Sequence, residues 1–314
     1  MSDSLRLSVP DFRDPGQRAA FFEVAEAAID VDGYDPFNEQ ARLDVESGRR
    51  SPIVVTLWPR ESETPLDRPV GAAILGRGEL DFVIDPLYRG KGFGELAVRG
   101  LLATARGNLT AWSHGDHPAA RRLAERHGFV LDRTLLHLVT PLPSLPSLPG
   151  ETAPDALPSG FTLEAMRVGD DDEEWVDLNA RIFDTHPEQG RLSVSDLKAR
   201  QAEPWFDADD VLMLRDASGR LVGYDWVKVE AGASEGEIYV LGVDADLAGR
   251  GLGRLLLQAG LTRLAERGCE QAGLYVEADN EAAVHLYRSA GFAEHTIDVQ
   301  YRRTIDPCDP FIHS

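Results

Sequence analysis

Apolar positions along this chain follow two rhythms, and the same succession of rhythms runs through it twice. Alternating or β-branched runs predict strands at 4–9, 52–59 (PIVVTLWP), 69–76, 80–85, 109–114 (LTAWSH) and 133–140 (RTLLHLVT). Helical spacing predicts helices at 14–30, around 38–47, from a glycine turn at 89–94 to about Arg106, and at 117–127. The second round predicts strands at 161–167, 211–216, 221–230, 273–277 and 294–303, and helices at 171–183, 193–203 and 280–290. Between the rounds, residues 141–160 carry six prolines and no periodicity, which predicts an extended, semi-rigid linker. Strands followed by β-α-β-α-β read as α/β, each half a mixed, mostly antiparallel central sheet flanked by helices. The expected domains are 1–140 and 160–314, joined by the linker 141–159.

One stretch organises each half. In the second it is 237–254, EIYVLGVDADLAGRGLGR. Ile238, Val240, Leu241 and Val243 give a strand, which breaks into a glycine-rich turn and continues as an amphipathic helix. Unpaired backbone N–H groups at such a helix start, backed by the helix dipole, make an anion site suited to phosphate. The dinucleotide fingerprint needs a third glycine where Arg254 stands, and the ATP-type loop needs a Gly-Lys-Ser/Thr that is missing. The first half holds FVIDPLYRGKGFGELAVRGLL, with Arg89, Gly92 and Gly94 in the same pattern. Gly92 and Gly251 lie 159 residues apart, and the helix-ending HGF (127–129) and AGF (290–292) lie 163 apart. A nearly constant offset indicates internal duplication, with about four residues added between these landmarks in the second copy.

This strand, turn and helix resemble the pyrophosphate loop of the GNAT acetyltransferases, Arg/Gln-x-x-Gly-x-Gly/Ala after a strand ending in Val-x-Asp/His-Pro, which grips acetyl-CoA. Ala248 departs from that pattern, standing where Arg89 stands in the first copy.

Charge narrows the partners. With 32 basic and 53 acidic residues the formal net charge is −21, which disfavours nucleic acid and anionic membranes. No apolar run approaches a membrane span, and MSDSLRLSVPDF has neither the basic start nor the apolar core of a signal peptide. Cys269 and Cys308 form no framework, so free thiols in a reducing cytoplasm are the plain account.

Acetyl transfer to an amine needs a held thioester, a donor for the oxyanion, a base for the amine and an acid for the thiolate. Backbone N–H groups of Leu241, Gly242 and Val243 are candidates for polarising the carbonyl, and a glycine inside a strand suits a bulge or a close cofactor approach. The ordinary alternative is a core strand with an incidental glycine. Glu237 at the strand start is the candidate base, against the alternative of a solvated strand-end glutamate. With the two loops aligned, Glu237 falls opposite Gly78. Glu79 is then one residue out of phase, which would turn it to the other sheet face. Tyr287, two helical turns after Asn280, is the candidate acid, against a tyrosine packed in the core. Aligned on the Gly-Phe pair, the first copy has Ala124 there. The first half therefore reads as a domain that binds acetyl-CoA without turning it over. His114 and His117 in HGDH have metal-like spacing but no third ligand nearby, so no metal is expected.

Several stretches narrow the resemblance: HPEQG (186–190), PWFD (204–207), DWVKV (225–229), GEIYVLGVD (236–244), LYVEADNEAAVHLYRSAGF (274–292), and VDG…EQ at 31–40. They resemble the mycothiol synthases, tandem GNAT proteins, over almost the whole chain. That resemblance implies acetylation of the cysteinyl amine of a cysteinyl-glucosaminyl-inositol. It also implies substrate contacts from Glu39, Glu188, Lys228, Glu237 and Tyr275. Acetyl-CoA would be held by Leu241, Gly242 and Val243, by Ala248, Gly249, Arg250, Gly251, Leu252, Gly253 and Arg254, and by Asn280, Glu281, Ala282, Ala283, Val284 and His285. In the first half the matching residues are Phe82, Val83 and Ile84 with Gly90, Lys91, Gly92, Phe93, Gly94 and Glu95. A monomer is expected. The competing readings are a tandem acetyltransferase for another amine, such as an aminoglycoside or a peptide N-terminus, and a catalytically silent acetyl-CoA sensor. Retention of Glu237 and Tyr287 argues against the sensor.

Overall fold

In the computed structural model, residues 4–58, 68–142, 157–184 and 189–304 are described. Most of the expected linker, together with Glu188 and Cys308, lies outside them. The first half contains β1 (Ser4–Ser8), α1 (Pro15–Asp32), α2 (Glu39–Glu46), β2 (Ser51–Trp58), β3 (Gly71–Gly76), β4 (Glu79–Ile84), α3 (Phe93–Thr104), β5 (Leu109–Ser113), α4 (Pro118–Arg126) and β6 (Val130–Pro141). The second contains β7 (Phe161–Ala165), α5 (Asp172–Ile182), α6 (Val194–Gln201), β8 (Val211–Asp216), β9 (Leu221–Lys228), β10 (Glu235–Val243), α7 (Leu252–Glu266), β11 (Gln271–Glu277), α8 (Glu281–Ser289) and β12 (Ala293–Arg303). Each matches a predicted element. The added residues of the second copy lie largely in α7, which has 15 residues against 12 in α3.

Most helix starts are capped locally. Asp14 accepts from the amides of Gly16 and Gln17, with Pro15 opening α1, and Ser193 and Asp196 form a reciprocal capping box on α6. Asn280 accepts from the Ala283 amide at 3.1 Å and starts α8. The helices after the glycine turns, α3 and α7, have no side-chain cap at all.

The chain forms two compact units, Met1–Leu135 with Thr296–Ser314, and Leu136–His295. This differs from the sequence-based boundaries in the last strand of each half. β12 pairs antiparallel with β5, from Val299 opposite Ser113 to Arg303 opposite Leu109, and so completes the first unit's sheet, ordered β1-β2-β3-β4-β5-β12. Val299 and Tyr301 bury themselves there against Leu109, Ala124 and Phe129. The second unit's sheet is ordered β7-β8-β9-β10-β11-β6, the end of β6 coming from the first half. Periodicity fixes which residues face a core but not which sheet supplies that core, so this exchange has no local signature.

Each sheet has an apolar core on both faces. In the first unit Phe21, Val24, Phe37 and Val45 of the α1–α2 side pack on Ile74 and Val83, while Phe93 and Ala97 of α3 pack on Val55 and Ile84. In the second, Trp175, Leu178 and Leu197 pack on Met213, Tyr224 and Trp226, while Leu252 and Leu256 of α7 pack on Leu214 and Val222.

Candidate functional site

The two glycine turns have the same backbone. Gly90 and Gly92 have φ of 73° and 84°, Gly249 and Gly251 of 76° and 78°, in the left-handed region that glycine adopts without strain. A Cβ added at any of the four would meet nothing within 4 Å, so it is backbone conformation, not crowding, that calls for glycine. With no side chain capping α3 or α7, their first amide N–H groups remain for an anionic ligand. Asp85 and Asp244 fix the turns from below by accepting from the amides of Leu87 and Asp246.

Arg89, which completes the loop pattern in the first unit, is already engaged by the fold, although it lines the same cavity as the loop glycines. Its guanidinium forms a bidentate pair with Asp32, both contacts 2.7 Å, and its Nε donates to the Ile84 carbonyl at 2.9 Å. Ala248 therefore lacks the ion pair and carbonyl contact that Arg89 makes.

Beside each loop two parallel strands part. β10 pairs with β11 over three positions, from Glu235 opposite Gln271 to Glu237 opposite Gly273, and then continues along β9 alone. β4 pairs with β5 at Glu79 and Thr110. Beyond these points the facing edges of β10 and β4 are open. The irregularity of β10 lies between Ile238 and Val240. Gly242 is not the bulge: it pairs regularly with Tyr224, and a Cβ there would lie 3.0 Å from the Ile182 side chain. The glycine answers to α5.

That bulge also corrects the phase of Glu79. Thr110 and Gly273 are 163 residues apart, the offset of the two Gly-Phe pairs, and they stand opposite Glu79 and Glu237. Glu79 thus occupies the place of Glu237. The extra residue of the bulge falls between Glu237 and the loop, which is why alignment on the loops shifts the register by one. Glu79 has an arginine partner. Arg50, itself buried, donates to Glu79 at 2.9 Å, to Asp81 at 2.5 Å and to the Ile74 carbonyl at 3.0 Å.

Glu237 faces Lys228 across β9 and β10. The Lys228 side chain is only 10% exposed. Its ammonium lies 4.9 Å from the Trp205 ring centre, 5.7 Å from that of Tyr239, and 3.2 Å from Glu230. Tyr275 presents a ring 48% exposed, stacked at 4.5 Å on His137, which approaches Glu235 at 3.6 Å. His137 belongs to β6, so sequence reading had no means of placing it under Tyr275. Glu39 is exposed at the first turn of α2, in the other unit. Glu188 lies outside the described residues. Two of its neighbours in HPEQG do structural work: Gln189 exchanges hydrogen bonds with Asn179, and a Cβ on Gly190 would strike the Phe183 carbonyl.

Tyr287 is buried against Phe292 at 5.9 Å, and that burial, with the nearby Asp225, pushes its phenol well above the ordinary tyrosine range. The proton stays on the ring at neutral pH. Asp225 itself was missed. It is fully buried on β9, neither carboxyl oxygen has a hydrogen-bond partner, and burial holds its pKa well above the usual carboxylate range. Gly260 of α7 leaves room for it, since a Cβ there would lie 2.1 Å from Oδ2.

The remaining cofactor candidates sit where the loops put them. Leu252 and Phe93 are buried anchors of their helices, Ala248, Gly249 and Arg250 are exposed on the loop, and Arg254 is exposed in the first turn of α7. Glu281, Ala282 and His285 are exposed on α8, with Ala283 and Val284 half-buried. In the first unit, Phe82, Val83, Ile84, Gly90, Gly92, Gly94 and Glu95 line a cavity of about 710 Å³, in the range of small-molecule sites. Lys91 instead donates to the Leu87 carbonyl at 3.0 Å. Among the described residues no group of three or more His, Cys, Asp or Glu could hold a metal ion, and no helix is long and apolar enough to cross a membrane.

Comparison with known proteins agrees with this arrangement. The model of the acetyltransferase (GNAT) family matches twice, at residues 31–129 and 174–292. A mycothiol acetyltransferase of Clavibacter michiganensis is 45% identical over 90% of this chain and 90% of its own length. One from Salinispora arenicola is 41% identical over 96% of this chain and 98% of its own. The chain belongs to the mycothiol acetyltransferases, within the GNAT family. Among solved structures, a GCN5-related N-acetyltransferase from Sphaerobacter thermophilus aligns with a TM-score of 0.68 at 22% identity, covering 96% of each chain. A tandem GNAT protein from the clavulanic acid pathway aligns with a TM-score of 0.68 at 16% identity, covering 98% of this chain and 100% of its own. These two speak for the fold. The enzyme is an N-acetyltransferase, and acetyl-CoA is the acyl donor of its family.

Proposed function

We propose that this acetyltransferase N-acetylates the cysteinyl amine of a cysteinyl-glucosaminyl-inositol, the final step of mycothiol assembly, and that the second unit carries the chemistry. The carrying observation is the 36–45% identity, over about nine-tenths of the chain, to proteins named mycothiol acetyltransferase. The α7 loop would hold the diphosphate of acetyl-CoA, with the pantetheine arm entering where β10 leaves β11.

A cysteinyl α-amine has an ordinary pKa of about 8, so much of it is protonated near neutrality. Glu237 removes that proton and the amine attacks the thioester carbonyl directly. Amides of Leu241, Gly242 and Val243 stabilise the oxyanion. As the tetrahedral intermediate collapses, Tyr287 gives its proton to the leaving thiolate. A phenol is protonated at neutral pH even at its ordinary pKa, and the upward shift keeps it so. Glu39, Glu188, Lys228 and Tyr275 are assigned to the sugar-bearing substrate. The first unit holds a second acetyl-CoA but lacks the acid, Ala124 standing in its place. The reading includes a monomer in the cytoplasm, and the free, buried Cys269 suits a reducing compartment.

The test is acetyl transfer to the cysteinyl-glucosaminyl-inositol, followed by product mass because the substrate carries its own thiol, with aminoglycoside and peptide amines alongside. Selective N-acetylation of the thiol-sugar is expected. Preference for a peptide amine would sink the assignment.

A further inference from the structure

Around Tyr275 the second unit carries side chains that the proposed acetyl transfer leaves unassigned. Alternation puts Gln271, Gly273 and Tyr275 on one face of β11, and Glu235 with Glu237 on one face of β10. The register sets Glu235 opposite Gln271 and Glu237 opposite Gly273, so these positions share one side of the sheet. β6, the neighbour of β11 on its other edge, contributes His137.

Gly273 is the gap in which this cluster closes. A Cβ on it would lie 2.7 Å from Glu235 Oε1 and 3.0 Å from His137 Nε2, so carboxylate and imidazole meet over the glycine. Those two atoms are 3.6 Å apart, close enough to pair when the imidazole is protonated. Gln271 donates to the other Glu235 oxygen at 2.6 Å. The imidazole, with this amide, holds the Glu235 carboxyl below its ordinary pKa. His295, at the start of β12, stands edge-on to His137 at 5.4 Å.

What this support carries is Tyr275. Its ring stacks on the imidazole at 4.5 Å and 12°, and the residue is still 48% exposed, against 12% for the His137 side chain. An aromatic ring braced on one face and left half in solvent adds little to the core, but it is preorganised for a ligand. Tyr275 also stands past the point where β10 leaves β11. From Glu237 it is one strand spacing across and two residues along, roughly 8 Å between backbones. That span is of the order of the reach from an amine, through an amide link, to the sugar ring that carries it. A pyranose offers C–H groups on its faces and hydroxyls around its rim, and an aromatic face beside a carboxylate and an amide suits both.

We propose that His137 and Glu235 are positioning residues for acceptor recognition: they brace Tyr275 as the platform on which the sugar ring of the acceptor lies. This rests on the proposed acetylation of a thiol-sugar and adds to it two residues that set the preference for the sugar. Neither touches the reacting atoms, so their effect belongs in the acceptor KM and not in kcat.

The experiment measures kcat and KM of the full chain for two acceptors, the cysteinyl-glucosaminyl-inositol and a cysteinyl amide without a sugar. Acetyl-CoA is saturating and product is followed by mass. The ratio of the two kcat/KM values reads the contribution of the sugar. His137→Ala should cut that ratio by about five- to tenfold, through a higher KM for the thiol-sugar, the scale of one aromatic stack. His137→Phe keeps a stacking ring and should recover most of it. Glu235→Gln should lower the ratio by about two- to threefold, the scale of a partly exposed ion pair. An unchanged ratio in His137→Ala overturns the proposal, and so does an equal loss for both acceptors, which is what general damage to the fold would give. Should His137→Ala fail to fold, Glu235→Gln decides, and a ratio unchanged there overturns it. An unaltered chain with no preference for the thiol-sugar overturns the proposed function as well, whereas a preference that survives in every variant overturns the positioning pair alone.

Discussion

At one register position the two units of this chain carry the same residue type in opposite circumstances. Glu237 stands across from Lys228, whose ammonium is shared with Trp205, Tyr239 and Glu230. Glu79 stands at the matching place, ion-paired with a buried arginine that also holds Asp81. One turn before each Gly-Phe pair, Tyr287 of the second unit is matched by Ala124 of the first. A duplicated fold keeps its loop because the loop is backbone, while the side chains around it diverge. The two units differ here in which cation stands beside the glutamate and in side-chain volume.

The sharpest way to break this comparison is to remove both glutamates in turn. Glu237→Gln should lower kcat for amine acetylation by roughly 10²- to 10⁴-fold, the usual worth of a positioned base. Glu79→Gln should leave that rate unchanged. Equal losses, measured by product mass under saturating acetyl-CoA, would show that the ion pair does not separate the two.

Next in size is the ion pair itself. Arg50→Met leaves Asp81, only 4% exposed, without its counter-charge. Breaking one side of a buried pair costs about 3–5 kcal/mol, so urea unfolding should show a loss of that order in the first unit. A loss below about 1 kcal/mol would mean that Asp81 is already protonated beside Arg50.

The second unit has its own strained contact. In Gly260→Ala the new methyl would meet Asp225 Oδ2 at 2.1 Å and Ile238 Cδ1 at 3.1 Å. Overpacking of this kind costs about 1–3 kcal/mol, partly offset by alanine's better helix propensity. Asp225→Ala in the same chain should relieve most of it, a coupling measurable by a double-mutant cycle.

Asp225 also gives a pH signature. Its folded pKa is raised, so its contribution is fully present below the unfolded value of 3.8 and is lost as pH rises toward the folded value. Asp225→Asn should flatten the decline in stability with rising pH. Some decline remains, because burial raises Asp81 in the same direction despite Arg50. Parallel curves for the two proteins would show that Asp225 is ionised in the fold.

Much of this was legible in sequence, and the limits are physical. Strands and helices follow from periodicity, and the loops from glycines that need left-handed φ. The phase of Glu79 was not legible, because a one-residue bulge at 238–240 leaves no mark in composition. The pairing of His114 with Asp298 crosses 184 residues and depends on β12 completing the first sheet. Nor did the sequence show Asp225 as a buried, unpartnered acid, since the space that admits it comes from Gly260, far along the chain on α7.

The smallest effect concerns the loop that first suggested the function. Ala248 departs from the pattern that Arg89 completes, and a reading from motif alone expects Ala248→Arg to tighten acetyl-CoA. The first unit argues otherwise. Arg89 is fixed by Asp32, at the end of α1, and by the Ile84 carbonyl, so its charge is already matched within the fold. Ala248 is exposed, and an arginine placed there would be a solvated side chain whose attraction for a diphosphate is screened by salt. Acetyl-CoA affinity of Ala248→Arg, by calorimetry at 0.15 M salt, should therefore change by no more than about threefold, under ~1 kcal/mol, the scale of an exposed ion pair. A tenfold gain would restore the arginine as a phosphate ligand and make the first unit's Asp32 clip a device for withholding it.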